Sequence, residues 1–442
     1  MGWRTRLGRR SRKRSQPTAN RHKTRLRTRS RRQRLCRRCR SINLDAVFNR
    51  KNSSEDSSIV LKMGKIKTWS PNSCALCQLL IKAFQPVEDE PQTLRCFSSS
   101  MMPFDGWQSV DLNVLSLDSA PDISPRLIVS QSKNPGVVRA LGPAISFGVV
   151  REWVDYCRGN HTRKCGFPRG SVSVFSMSSF KLIDCKTREI VRVSNEPYVA
   201  LSYVWGVGEG PSFSTVLPDN VPNTIEDAIK ATLELGFSYL WVDRYCINQE
   251  APEDIAEQVP KMDMIYNCSE LTIIASAGQD PSYGLPGVRH RSVIQPSGKV
   301  GKHVLMSTVE LPDNNVLWSK WQTRGWTLQE GVLARRRLVF TDQQVYFECS
   351  GMYCFEGLSF PLPSLHTQDH QRFKSPLLND VKTRIFPQQL GNTGWEVVEL
   401  LQDYSGRSLT KSSDMLNGFM GILRALEQSL QKFRHLTKTM IM

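Results

Sequence analysis

The chain has 442 residues, 40% of them hydrophobic, enough for two or three domains with sizeable cores. Its formal charge of +18 sits in one place: residues 1–40 hold eighteen Lys and Arg and no acid, leaving 41 bases against 41 acids elsewhere. The remainder is neutral, which argues against nucleic-acid binding by anything except that tail.

No apolar run approaches the ~18 residues of a membrane span, and no signal peptide precedes the body. A cytoplasmic protein is therefore expected, with its twelve cysteines as thiols or metal ligands rather than disulfides. The sequons at Asn160 and Asn267 then read as chance matches. Residues 1–34 have almost nothing to bury and read as a disordered Arg-rich tail. Three readings are open for this tail: a nuclear-import or RNA-contacting segment, a mitochondrial presequence that lacks a leucine face, or simply a solvated tail or a start codon set too far upstream.

Residues 35–190 read as a small Cys-rich α+β module. "LCRRC" opens it and a polar linker follows near 50–58. "SPNSCALCQLLIKAF" predicts a helix from near Asn72 or Ser73, with Leu76, Leu79 and Leu80 facing inward. Residues 95–150 alternate strands and turns, and 151–166 predict a second helix with polar ends.

The centre is more regular. "YVALSYVW" (198–205) reads as a buried strand running into the Gly-rich "GVGEG". "NTIEDAIKATLELGF" predicts a helix capped by Thr224, supported by Asp227 and ended by Gly236. "FSYLWV" (237–242) is a second strand closed by Asp243. A helix broken at Pro260 follows, and then a third strand, "LTIIASAG" (271–278). This alternation predicts a parallel sheet flanked by helices, with ligands beyond the carboxyl ends of its strands. "WQTRGWTLQEGVL" predicts a further helix, "RRLVFTDQQVYFEC" a partly exposed hairpin, and "SSDMLNGFMGILRALEQSLQKF" an amphipathic helix with a serine cap.

"YVALSYVWG", "LWVDRYCINQ", "MDMIYNCSELTIIASAG", "GLPGVRHR", "RGWTLQEGVLARRRLVF" and "VYFEC" occur in this order over residues 195–356. Together they resemble the fungal heterokaryon-incompatibility (HET) domain. The flanks 35–190 and 357–442, the latter mostly helical, resemble the longer members of that family. Such members extend beyond the point where "TKTMIM" falls, so the resemblance implies a shortened C-terminal region. It also implies a role in non-self recognition after hyphal fusion that ends in cell death. The partners it implies are other proteins of the incompatibility system and a homo-oligomer, with no membrane.

Two segments resemble Toll/interleukin-receptor (TIR) domains more distantly. "YVALSYVWG" looks like their first strand, and "WTLQE" is similar to their W-C-x-x-E segment, with Thr327 in place of the cysteine. The resemblance implies a TIR/flavodoxin-like fold, NAD as substrate, Glu330 as catalytic carboxylate and Trp326 beside it. A carboxylate suits that chemistry because cleavage of a ribosyl bond passes through a positively charged, oxocarbenium-like state. Ser202, Trp205, Gly206 and Asp243, at the ends of the first two strands, are the accompanying ligand-site candidates. Plain alternatives stand beside each: Trp326 as core, Glu330 paired with Arg324 or with Arg335 to Arg337, Asp243 as the cap of the next turn. A non-catalytic interaction module that recruits effectors is the main competing function.

Two C-x-x-C pairs, Cys36/Cys39 and Cys74/Cys77, suit a tetrahedral structural zinc, although their separation is long for common zinc modules. Cys157, His161 and Cys165 recur every four residues and form a possible second cluster with no evident fourth ligand. Cys246, Cys268, Cys349 and Cys354 read as core.

Overall fold

The computed structural model describes residues 34–49, 59–98, 113–117, 127–133, 136–167, 173–206, 212–293, 295–359, 361–374, 384–388, 390–391 and 393–428. The tail at 1–33, the linker at 50–58, and Gly208 and Gly210 lie outside them. The first strands are β1 (Ile59–Gly64), β2 (Gln92–Ser98), β3 (Asn113–Leu117) and β4 (Ile128–Ser130). Then come β5 (Leu182–Asp184), β6 (Ile190–Val191), β7 (Tyr198–Ser202), β8 (Tyr239–Trp241) and β9 (Leu271–Ala275). The last are β10 (Ser297–Val300), β11 (His303–Ser307), β12 (Arg336–Phe340), β13 (Val345–Cys349) and β14 (Tyr353–Phe355).

One sheet runs β1-β2-β3-β4-β11-β10, antiparallel throughout. The helix Ala75–Phe84 supplies Leu76, Leu79 and Leu80 to its core, together with Cys39, Cys74 and Cys77. β10 and β11 follow β9 in sequence yet complete this first sheet, so the two sheets interleave along the chain.

The second sheet runs β14-β13-β12-β9-β7-β8-β5-β6. Its four middle strands are parallel: β12 with β9, β9 with β7, and β7 with β8. Both edges are antiparallel, which corrects the expectation of a purely parallel sheet. The cause is local, because tight connections such as Thr341–Gln344 can only return a strand antiparallel. Both strands of the hairpin β12–β13 are buried at every position, and exposure is confined to its turn at Asp342 and Gln343, since the strands lie inside the sheet.

Between β7 and β8 the helix Asn223–Glu234 ends at Gly236, whose positive φ closes it as expected. Asp227 does not complete a capping box. It accepts the Leu285 N–H at 2.9 Å and pairs with Arg289 at 2.6 Å, anchoring the turn "GLPG". Between β8 and β9 the helix breaks around Pro260 into Pro252–Gln258 and Met262–Cys268. The helix Gly325–Leu333 precedes β12, and its Leu328, Val332 and Leu333 pack on Phe419, Ile422, Leu423 and Leu426 of Asn417–Glu427. That last helix has Leu416 at its N-cap, not a serine.

Candidate functional site

β7 delivers Ser202, and β8 runs directly into Asp243, so both sit at the carboxyl ends of parallel strands. The helix Gly325–Leu333 brings in Glu330 from 128 positions away, and the Ser202 hydroxyl donates to its Oε2. The same hydroxyl accepts the Trp321 Nε1–H at 2.7 Å, using both capacities of the group. Trp205 donates its indole N–H to Asp243 Oδ2 at 2.8 Å. Its ring lies 5.5 Å from the Arg244 guanidinium and 6.0 Å from that of Arg324. Those arginines donate to the Trp205 and Tyr203 carbonyls at 2.9 and 3.0 Å, which fixes the loop leaving β7.

Glu330 is only 4% exposed. Burial first, and then the charge of Asp243, push its carboxyl up to about 7. Burial pushes Asp243 up to about 6, opposed by Arg324, the Arg244 backbone N–H and Trp205. Both carboxyls thus stand above the usual carboxylate range, and the charge of Asp243 disfavours ionisation of Glu330, a pattern concentrated at functional sites.

Gly206 has φ +78°, and a Cβ there would lie 2.8 Å from Pro281, so only glycine fits this exit from β7. Trp205 and Gly206 also line an open cleft of about 740 Å³ with Asp219, Asn223, Asp280 and Arg289. Trp205 therefore joins the carboxylates to a space large enough for a nucleotide-sized ligand.

Ser202, Trp205, Gly206, Asp243 and Glu330 all converge here. Trp326 is half-buried and packs on the core, with no hydrogen bond to the carboxylates among the described residues. The tryptophan beside Glu330 is Trp321, whose partner Ser202 is 119 positions away and leaves no local sequence signal. Arg335, Arg336 and Arg337 are buried and donate to backbone carbonyls of Asn267, Glu270, Gly331 and Val332, rather than to Glu330.

The cysteines form two clusters suited to a metal ion. Cys36, Cys39, Cys74 and Cys77 place their sulfurs within 4.8 Å of one another. Cys77 Sγ lies 3.6 Å from Cys39 Sγ and 3.9 Å from Cys36 Sγ. The edge of a zinc–thiolate tetrahedron is ~3.8 Å for bonds of ~2.3 Å. The donors therefore fit the ion. The Cys39 thiol beside it pulls the Cys77 thiol down, and Cys39 is itself pushed up. The second cluster is Cys157, His161, Cys165 and Cys349. Cys349 is buried, as a core residue should be, but it also supplies the fourth donor that residues 157–165 lack.

A mixed α/β domain with two buried carboxylates, Asp243 at a strand end and Glu330 on the helix that meets Ser202, is the class these features define. Residues 198–330, from the first residue of β7 to Glu330, match the family model described as Heterokaryon incompatibility protein (HET). No curated protein and no solved structure matches the chain. Among the described residues, no helix is long and apolar enough to cross a membrane.

Proposed function

We propose that this segment acts, as a HET domain, in fungal non-self recognition leading to cell death, and that it does so by hydrolysing NAD in a TIR-like manner. The observation that carries the reading is the buried Glu330 bonded to Ser202 at the end of β7, with Asp243 after β8 holding Trp205, which lines the cleft. Strand order supports it: from β8 to β12 the parallel strands run second, first, third, fourth, the start of the flavodoxin-like order. In that order ligands bind where the first and third strands meet, and Ser202 ends the first of these strands.

In the proposed reaction the bond from ribose C1′ to nicotinamide nitrogen breaks and its electron pair leaves with nicotinamide. Water then attacks C1′ and releases a proton, giving ADP-ribose. The ionised Glu330 stabilises the positive charge at C1′, and Asp243 holds Trp205 at the mouth of the cleft. We place the activity in the cytoplasm, with other incompatibility proteins or further copies of the chain as partners. Cys36, Cys39, Cys74 and Cys77 hold a structural zinc in this reading.

A second reading, a non-catalytic module that recruits effectors, is favoured by the near-complete burial of Glu330 and its bond to Ser202. Expression of the full chain and of Glu330→Ala in fungal cells separates the two, with NAD and viability followed together. The enzymatic reading expects NAD loss and death from the parent and neither from the variant. Death from both proteins at unchanged NAD would establish the recruiting module instead.

A further inference from the structure

We propose that Cys157, His161, Cys165 and Cys349 bind a second zinc ion, ligated by His161 through Nδ1, which latches the helix Phe147–Asn160 to β13. All four ligands lie outside the segment 198–330 that matches the HET model. The helix ends at Asn160, and a backbone bond from Cys165 N to His161 O at 2.8 Å folds the following turn back beneath it. Cys165 thereby faces Cys157, while Cys349 arrives at the last position of β13. Three sulfurs and one imidazole nitrogen within 4.8 Å of one another make a closed tetrahedral set of the structural kind.

The strongest argument is the histidine tautomer. His366 Nδ1 faces the Leu362 carbonyl at 2.5 Å, and a carbonyl only accepts, so that nitrogen carries the proton. Neutral His366 then has a bare Nε2, which lies 2.9 Å from His161 Nε2. His161 must donate there, so its own proton sits on Nε2 and its Nδ1 lone pair is free. That lone pair faces Cys349 Sγ at 3.3 Å, near the ~3.5 Å nitrogen–sulfur edge of a zinc tetrahedron. The arrangement is the one in which an outer group orients a metal-binding imidazole.

Two further features fit a charged metal–thiolate set. The Arg336 Nε–H donates to Cys157 Sγ at 3.1 Å, setting a cation against the sulfurs. At Gly351 a Cβ would sit 2.5 Å from His161 Nδ1, so the absent side chain keeps that nitrogen open. An ion here ties the helix before the HET segment to a strand after it, across 184 positions between Cys165 and Cys349. It also gives a role to two buried arginines: Arg335 and Arg336 both donate to the Cys165 carbonyl at 3.1 Å, bracing the same turn.

The test is metal analysis of the full-length protein. Wild type should hold two zinc ions per chain, falling to one in Cys349→Ser and to one in Cys39→Ser. Cadmium-113 exchange into wild type needs no variant and should give two resonances, one from four sulfurs and one from three sulfurs and a nitrogen. His366→Ala should weaken zinc retention against a chelator by roughly 10–100-fold. His366→Gln, whose amide oxygen accepts from His161, should recover most of that loss. A single four-sulfur resonance, or a zinc count unchanged by Cys349→Ser, would overturn the proposal and leave the cluster as buried thiols.

Discussion

Glu356, just past β14, and Glu330 are both buried glutamates, and they are held in opposite ways. Glu356 meets the Arg291 guanidinium with both oxygens, each contact 2.5 Å long, and also accepts the Val345 N–H at 3.1 Å. Glu348, a third case, accepts from Tyr346, Ile385 and Phe386, with Arg384 3.6 Å away. Glu330 has no ion-pair partner among the described residues; it has a hydroxyl, and its strongest charged influence is another carboxylate. A fold that sets cations against its other buried glutamates and gives this one only a hydroxyl in contact is tolerating an unfavourable arrangement. Such exceptions concentrate where a protein acts on something.

The largest effect is expected at the compensated site. Glu356→Gln leaves Arg291 buried without its countercharge, and breaking such a pair costs about 3–5 kcal/mol. Urea unfolding of the full chain measures it. A cost below about 1 kcal/mol would mean that the Arg291 pair is no more structural than Glu330, and the contrast would collapse.

At the uncompensated site the prediction is one of pH. The Glu330 carboxyl stands near 7 in the folded protein against 4.5 in the unfolded chain. Between those values the folded state binds more protons, so stability falls as pH rises through that window and the loss is complete above 7. A difference of this size corresponds to on the order of 3 kcal/mol. Glu330→Gln removes the titration yet still accepts from Ser202. Relative to wild type, the variant should therefore gain stability from pH 4.5 to pH 8. Equal pH dependence in the two proteins would show that Glu330 ionises normally and is an ordinary surface-like acid.

Much of this contrast was legible in sequence, and some was not. The strands at Tyr198, Tyr239 and Leu271 announce themselves because burial on both faces demands apolar residues at consecutive positions. The break at Pro260 and the cap at Gly236 follow from backbone geometry alone. Both C-x-x-C pairs were readable because each half of the site is local. Cys349, Trp321 and Tyr266 were not, since each reaches its partner only through tertiary contact. Tyr266, for instance, bonds the Leu201 carbonyl at 3.2 Å across 65 positions. The run Arg335 to Arg337 misled for a related reason: in sequence it stands as a candidate partner for Glu330. Its guanidinium groups instead satisfy carbonyls at the ends of neighbouring segments, where no sequence pattern marks the need.

The smallest predicted effect is the most specific. Asp243 is the largest source, after burial, of the upward shift at Glu330, and the influence runs through space rather than through a shared hydrogen bond. Asp243→Asn keeps an oxygen for the Trp205 indole and removes the charge. The Glu330 titration should then move down from about 7 toward its ordinary value. In the Asp243→Asn background, the pH-dependent gain from Glu330→Gln should shrink by on the order of 1 kcal/mol, as a double-mutant cycle reads it. If NAD is cleaved, the acid limb of the pH–rate profile should shift the same way, because the working form of Glu330 is the ionised one. An undiminished gain in that background would separate the two carboxylates. Burial alone would then account for Glu330, and Asp243 would be reduced to the anchor of Trp205.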